Sequence, residues 1–108
     1  MPKGYEVERI AVKDERRLRA ALPRNARLVA LDERGEDYTT QRFAALLKSE
    51  TAFVIGGADG LSAATCSAAD TLLRLSALTL PHALAQVILL EQIYRAATLL
   101  TGHPYHRN

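Results

Sequence analysis

Leu75-Ser76-Ala77-Leu78-Thr79-Leu80-Pro81-His82 reads as the end of a buried strand that turns on small and hydroxyl residues and restarts as a helix at proline. The helix it launches, Ala83 to Thr101, is long and apolar. Upstream the same alternation recurs. Thr51 to Ile55 is a wholly apolar strand that runs into Gly56-Gly57-Ala58-Asp59-Gly60. Ser62 caps a helix predicted through about Asp70, and Leu72 to Leu78 follows as a strand. Further back, Ala26 to Leu31 reads as a strand with a loop at Asp32 to Gly35. Thr39 or Thr40 caps a helix with Phe43, Leu46 and Leu47 on one face. Tyr5 to Val12 is a strand of imperfect alternation carrying Val7, Ile10 and Val12. Asp14 then caps a short helix to Leu22, which Pro23 ends.

The predicted order is βαβαβαβα. Strands apolar on both faces, alternating with helices, predict an α/β fold: a parallel-type sheet with helices on both faces. Such sheets bind ligands beyond the carboxyl ends of their strands. Three loops meet there, at Leu31-Asp32, Gly56 to Gly60 and Leu75 to Leu80. The glycine-rich loop is neither a dinucleotide fingerprint nor a P-loop, because the required spacing and the Gly-Lys-Ser/Thr ending are missing. In the last helix, Glu91, Gln92, Arg95 and Thr98 share one side of the C-terminal half. Its first half, Ala83 to Leu90, is apolar nearly all round except at Gln86. Such a helix needs cover on all sides, and a partner subunit is the expected source.

Composition narrows the function classes. At 108 residues, 48% hydrophobic and 24% charged, the chain is one globular domain and not a disordered one. A net charge of +2 permits a nucleic-acid partner without arguing for one. Glu15, Arg16, Arg17 and Arg19 lie off an apolar stripe, a solvated face by the plainer reading and an RNA-facing patch by the sharper one. Cys66 is the single cysteine, so an internal disulfide is impossible and a reducing cytoplasm fits. No apolar leader opens the sequence, and Leu78 to Leu90 is too short to span a bilayer, so no membrane partner is expected. His82, His103 and His106 lack carboxylates or cysteines at ligand spacing, so no metal is expected. The tail His103-Pro104-Tyr105-His106-Arg107 holds groups that stack on a base, move a proton and bind phosphate.

Four motifs together, Leu75 to His82, Ile55 to Leu61, Glu91 to Ala96 and His103 to Arg107, resemble the RlmH-type SPOUT methyltransferases, which methylate N3 of a pseudouridine in 23S ribosomal RNA. The stretch Leu28 to Gly35 resembles the same family. The resemblance implies a single SPOUT domain with a C-terminal trefoil knot, an exception to the rule against threaded chains. It implies S-adenosylmethionine as cofactor, held at Leu31, Gly56 and the run Leu75, Ser76, Ala77, Leu78, Thr79 and Leu80. It implies a cytoplasmic homodimer packed through the last helix, acting on the helix 69 loop of the assembled ribosome. The catalytic candidates it brings are His106, Tyr105, Arg95 and Arg107: His106 or Tyr105 for the proton on N3, and the two arginines for phosphate or developing charge. The family's usual chain begins with a further strand and long helix that have no match here, so the sheet is expected to show a gap or an exposed edge. Two other readings stay open: a non-catalytic knotted module for cofactor binding or dimerisation, and a SPOUT enzyme acting on transfer RNA.

Overall fold

The computed structural model describes residues 1–2, 4–57, 59–102 and 105. A 3-10 turn at Glu15–Arg17 leads into α1 (Leu18–Ala21). Then come β1 (Arg27–Asp37), α2 (Thr40–Leu46), β2 (Thr51–Ile55), α3 (Ala63–Ala68), β3 (Thr71–Arg74) and α4 (His82–Thr101). The sheet has three parallel strands in the order β2-β1-β3. The caps read from the sequence are in place. Asp14, Thr39 and Ser62 each accept a backbone N–H from the first turn of the following helix, which satisfies a donor that the helix itself cannot.

β1 is the centre. Its register with β2 runs Arg27–Thr51 to Leu31–Ile55, and with β3 Val29–Thr71 to Leu31–Leu73. Val29 faces a core of Phe43, Ala44 and Leu46 from α2, Leu73 from β3, and Leu89, Ile93 and Ala96 from α4. Phe43 stacks on Phe53 at 5.4 Å between ring centroids, tying α2 to β2. Leu28 and Ala30 point the other way by the strand's period of two and are buried as well. Asp70 fastens the start of β3: its carboxylate accepts the Leu28 N–H at 2.7 Å, and its own N–H donates to the Leu28 carbonyl at 2.8 Å.

Several sequence expectations are corrected. Tyr5 to Val12 is no strand, since β2 is paired only with β1 and no backbone bond joins the two segments among the described residues. The fold is therefore an α/β sheet of three strands rather than four. Asp32 to Gly35 does not leave the sheet as a loop. β1 continues to Asp37 through a register shift between Leu31 and Glu36, then pairs with β3 again. Gly35 permits this, because a Cβ there would sit 2.7 Å from the backbone of Leu72 and Leu73. β3 stops at Arg74, so Leu75 to Leu80 is loop throughout. The helix from Ser62 ends at Ala68, because Asp70 is committed to β1.

α4 opens at His82 behind Pro81 and runs for 20 residues. Whole, it is long and apolar enough to cross a membrane by length and composition, which Leu78 to Leu90 alone is not. It nevertheless buries Leu89, Ile93, Ala96, Ala97 and Thr98 against its own domain, the behaviour of a core helix.

Candidate functional site

β2 and β3 deliver their carboxyl ends, and β1 its bulge at Leu31 to Arg34, to one cavity of about 500 Å³, within the size range of small-molecule sites. Its floor and walls are Leu31 at the end of the paired part of β1, Ile55 and Gly56 at the end of β2, and Leu75, Ser76, Leu78, Thr79 and Leu80 beyond β3. His82 and Ala85 bring the first turn of α4 to the same wall. Of the candidate cofactor residues, only Ala77 does not line it.

Local chemistry shapes this wall. Gly56 admits no side chain: a Cβ would lie 2.5 Å from the Gly60 carbonyl carbon and 2.7 Å from the Leu61 nitrogen. The glycine loop folds back on itself through the Gly60 N–H to the Gly57 carbonyl at 3.0 Å. His82 Nδ1 donates to the Gly56 carbonyl, which joins the start of α4 to that loop and fixes the imidazole tautomer. Ser76 Oγ accepts the Leu78 N–H at 3.0 Å and sets the curve of the third loop. A flat adenine-like ring would find the apolar side chains here, and polar groups would find backbone and hydroxyls.

Charge sits at the rim. Arg34 forks onto Asp32 at 2.9 and 3.1 Å, and Arg74 onto Asp37 at 2.7 and 2.6 Å. The Arg34 guanidinium and backbone N–H hold the Asp32 carboxyl far below the usual carboxylate range. Cys66 Sγ lies 3.5 Å from the same carboxylate, and burial first, then Asp32, pushes its thiol pKa up. Sequence reasoning had not placed Arg34, Arg74 or His82 at the ligand wall. The Asp32-x-Arg34 spacing across a bulge was the signal for the first of these.

Behind the glycine loop, Glu15 accepts hydrogen bonds from the Ser62 N–H at 3.1 Å, from the Ser62 hydroxyl at 2.9 Å and from the Thr65 hydroxyl. The Thr65 and Ser62 hydroxyls lower its pKa, Thr65 the more. This carboxylate pins the N-terminal turn to the start of α3.

The catalytic candidates fall elsewhere. Arg95 pairs with Glu91 at 2.8 Å, one turn earlier on α4, and the Tyr105 hydroxyl donates to the same carboxylate at 2.9 Å. Arg95 also stands over the Tyr105 ring, and Tyr94 meets that ring edge-on at 4.7 Å. Glu91 raises the pKa of Tyr105. Glu91, the hub, was seen in the sequence only as part of a polar side. His106 and Arg107 lie outside the described residues. Arg95 is ten residues beyond Ala85, so this cluster stands roughly 15 Å along the helix from the cavity wall. Between them the helix shows solvent Leu84, Val87 and Leu90, and nearby Leu78 is 77% exposed. Together they make an exposed apolar strip along the first half of α4.

A family model described as "Predicted SPOUT methyltransferase" matches residues 2–106. The "Ribosomal RNA large subunit methyltransferase H" of Paraburkholderia phymatum is 51% identical over 110 residues, covering 96% of this chain and 70% of that protein. The protein of the same name from Nitrosospira multiformis is 52% identical over 110 residues, with the same coverage. That from Burkholderia mallei is 52% identical over 104 residues, covering 91% of this chain and 67% of its own length.

Proposed function

The chain belongs to the SPOUT methyltransferase family, and from that premise we propose that it transfers a methyl group from S-adenosylmethionine to large-subunit ribosomal RNA. The observation that carries the reading is the cavity at the carboxyl ends of β2 and β3 and the bulge of β1, walled by Leu31, Gly56 and the loop from Leu75 to Leu80. Its residues fit the donor. Leu31, Ile55, Leu75, Leu78 and Leu80 suit the adenine and the carbon chain, Gly56 leaves backbone open to approach, and Ser76 and Thr79 offer hydroxyls. When bound, the donor supplies a methyl already activated on a sulfonium.

The finer target is N3 of a pseudouridine in the helix 69 loop of 23S RNA, the target of the family that the motifs resemble. N3 carries a proton, and a group on the enzyme must receive it. Glu91 makes Tyr105 a weaker acid, so its phenol keeps its proton and serves as a hydrogen-bond donor and stacking surface. That argues for His106 as the proton acceptor, with Arg95 and Arg107 on phosphate or developing charge.

The domain is single, with its C-terminal segment threaded as the family's trefoil knot, and the protein is a cytoplasmic homodimer with no membrane partner and no metal. The second copy lies antiparallel along Leu84, Val87 and Leu90 of α4. This arrangement carries the Arg95 cluster of one subunit to the cavity of the other and removes the roughly 15 Å gap. Labelled methyl transfer to ribosomes lacking the modification tests the reading. Wild type is expected to label the large subunit, and Arg95→Ala and His106→Ala to lose most of the rate. Donor binding without any transfer by wild type points instead to a binding module.

A further inference from the structure

The net charge of +2 conceals an uneven distribution. Lys13 to Arg27 holds six basic side chains against two acidic ones, a net of +4, and the remainder of the chain holds eight against ten, a net of −2. Both acids of the segment are committed. Asp14 caps the 3-10 turn and pairs with Arg16 at 3.1 Å, and Glu15 is bound to Ser62 and Thr65. Lys13, Arg17, Arg19, Arg24 and Arg27 are exposed and make no ion pair among the described residues. Elsewhere the guanidinium groups are occupied: Arg34, Arg42, Arg74 and Arg95 each pair with a carboxylate. The ligand cavity itself carries Asp32, Glu33 and Asp59 against Arg34 and Arg74. Its own field therefore repels a polyanion, and the attraction for one lies in Lys13 to Arg27.

The backbone beneath these cations is fixed at several points. Leu18 is buried, which leaves Arg16, Arg17 and Arg19 on the outside of the turn. The Arg19 guanidinium donates to the Ala26 carbonyl at 3.3 Å, the Ala26 N–H to the Pro23 carbonyl at 3.2 Å, and the Arg27 N–H to the Glu50 carbonyl at 2.9 Å. A surface ordered in advance loses less freedom when it binds. Its place is fixed too, because Ser62, which Glu15 grips, directly follows Leu61 of the cavity wall. Given the ribosomal RNA substrate proposed for the chain, we propose that Lys13 to Arg27 is the surface on which the phosphate backbone of that RNA docks. Cations on phosphates release counterions and set orientation without reading bases. The basic turn supplies affinity and register beside the glycine loop, and the choice of base is left to the cavity.

The test is co-sedimentation of the full chain with hypomodified ribosomes across a salt series, which requires no methyl transfer. A variant carrying Arg17→Gln, Arg24→Gln and Arg27→Gln is compared with one carrying lysine at the same three positions. Circular dichroism and calorimetric binding of S-adenosylmethionine are expected to match wild type in both. The glutamine variant is expected to bind ribosomes about tenfold more weakly, with log affinity against log salt shallower by about two. The lysine variant is expected to keep the wild-type affinity and slope. Unchanged affinity and slope in the glutamine variant overturn the proposal. So does an equal loss in the lysine variant, which assigns the effect to shape rather than charge. Wild type that binds vesicles of phosphatidylcholine and phosphatidylserine as tightly as ribosomes overturns it too, because the patch then serves a membrane surface. Loss of ribosome binding by the glutamine variant, beside a wild type that binds but transfers no methyl group, upholds the docking surface and refutes only the proposed reaction.

Discussion

The two halves of α4 are built in opposite senses. From His82 to Leu90 the helix is apolar, yet Leu84, Val87 and Leu90 stand in solvent. From Glu91 to Thr101 it sinks Ile93, Ala96, Ala97 and Thr98 into its own domain while holding the Glu91, Arg95 and Tyr105 cluster at the margin. A helix serving one domain shows one apolar stripe along its whole length. Here the exposed apolar half lies beside the ligand cavity, and the chemically equipped half lies away from it. The contrast teaches that one chain keeps the cavity and the cluster roughly 15 Å apart along α4, and that the proposed pairing of two chains is what would join them.

The largest effect is expected at the cavity end. Gly56→Val places side-chain atoms where the Gly60 and Leu61 backbone already stands, and calorimetry should show S-adenosylmethionine binding abolished with the fold retained by circular dichroism. Val87→Asp comes next. It buries an unpaired charge between the apolar halves, which costs several kcal/mol, so light scattering should find a monomer that still binds the donor. Glu91→Gln probes the far end: removing charge-assisted bonds to Arg95 and Tyr105 should cost about 1.5–3 kcal/mol at most, and methyl transfer should fall more than donor affinity. The same change should bring the Tyr105 pKa down from its raised position, as read by ultraviolet titration. With the phenol pKa raised in the folded state, its contribution is present below 10.0 and lost as pH rises through the raised value.

The smallest effect concerns the Glu15 tether. Its folded pKa is lowered, so its contribution is present above the ordinary 4.5 and lost as pH falls through the lowered value. Thermal melts should therefore show wild type losing stability below that range more steeply than Glu15→Gln. Neither half of α4 is involved, and an equal effect of Glu15→Gln on dimerisation would break the separation drawn between the two ends.

Much of this was legible in the sequence where local chemistry decides. Asp14, Thr39 and Ser62 announce helices through their side-chain oxygens, and each caps one. The three loops at Leu31, Gly56 and Leu75 follow apolar strands, and the parallel topology brings them together. What the sequence did not reveal depends on neighbours. Tyr5 to Val12 has the pattern of a strand but finds no edge within reach. The bulge in β1 rests on contact between Gly35 and the backbone of Leu72 and Leu73. The distance from the cavity to Arg95 follows from the axis of α4, and motifs ordered along a chain carry no such spacing. The hub role of Glu91 arises from Tyr105 folding back upon it across 14 positions.

Mixing Gly56→Val chains with Arg95→Ala chains, refolded together, tests most directly whether one site is made from two subunits. Each variant alone lacks one half of every site. The account predicts that the mixture regains labelled methyl transfer to hypomodified ribosomes, through mixed dimers that keep one intact cavity facing one intact Arg95. Mixed dimers that form, as seen by mass spectrometry, yet remain as inactive as either parent would contradict it.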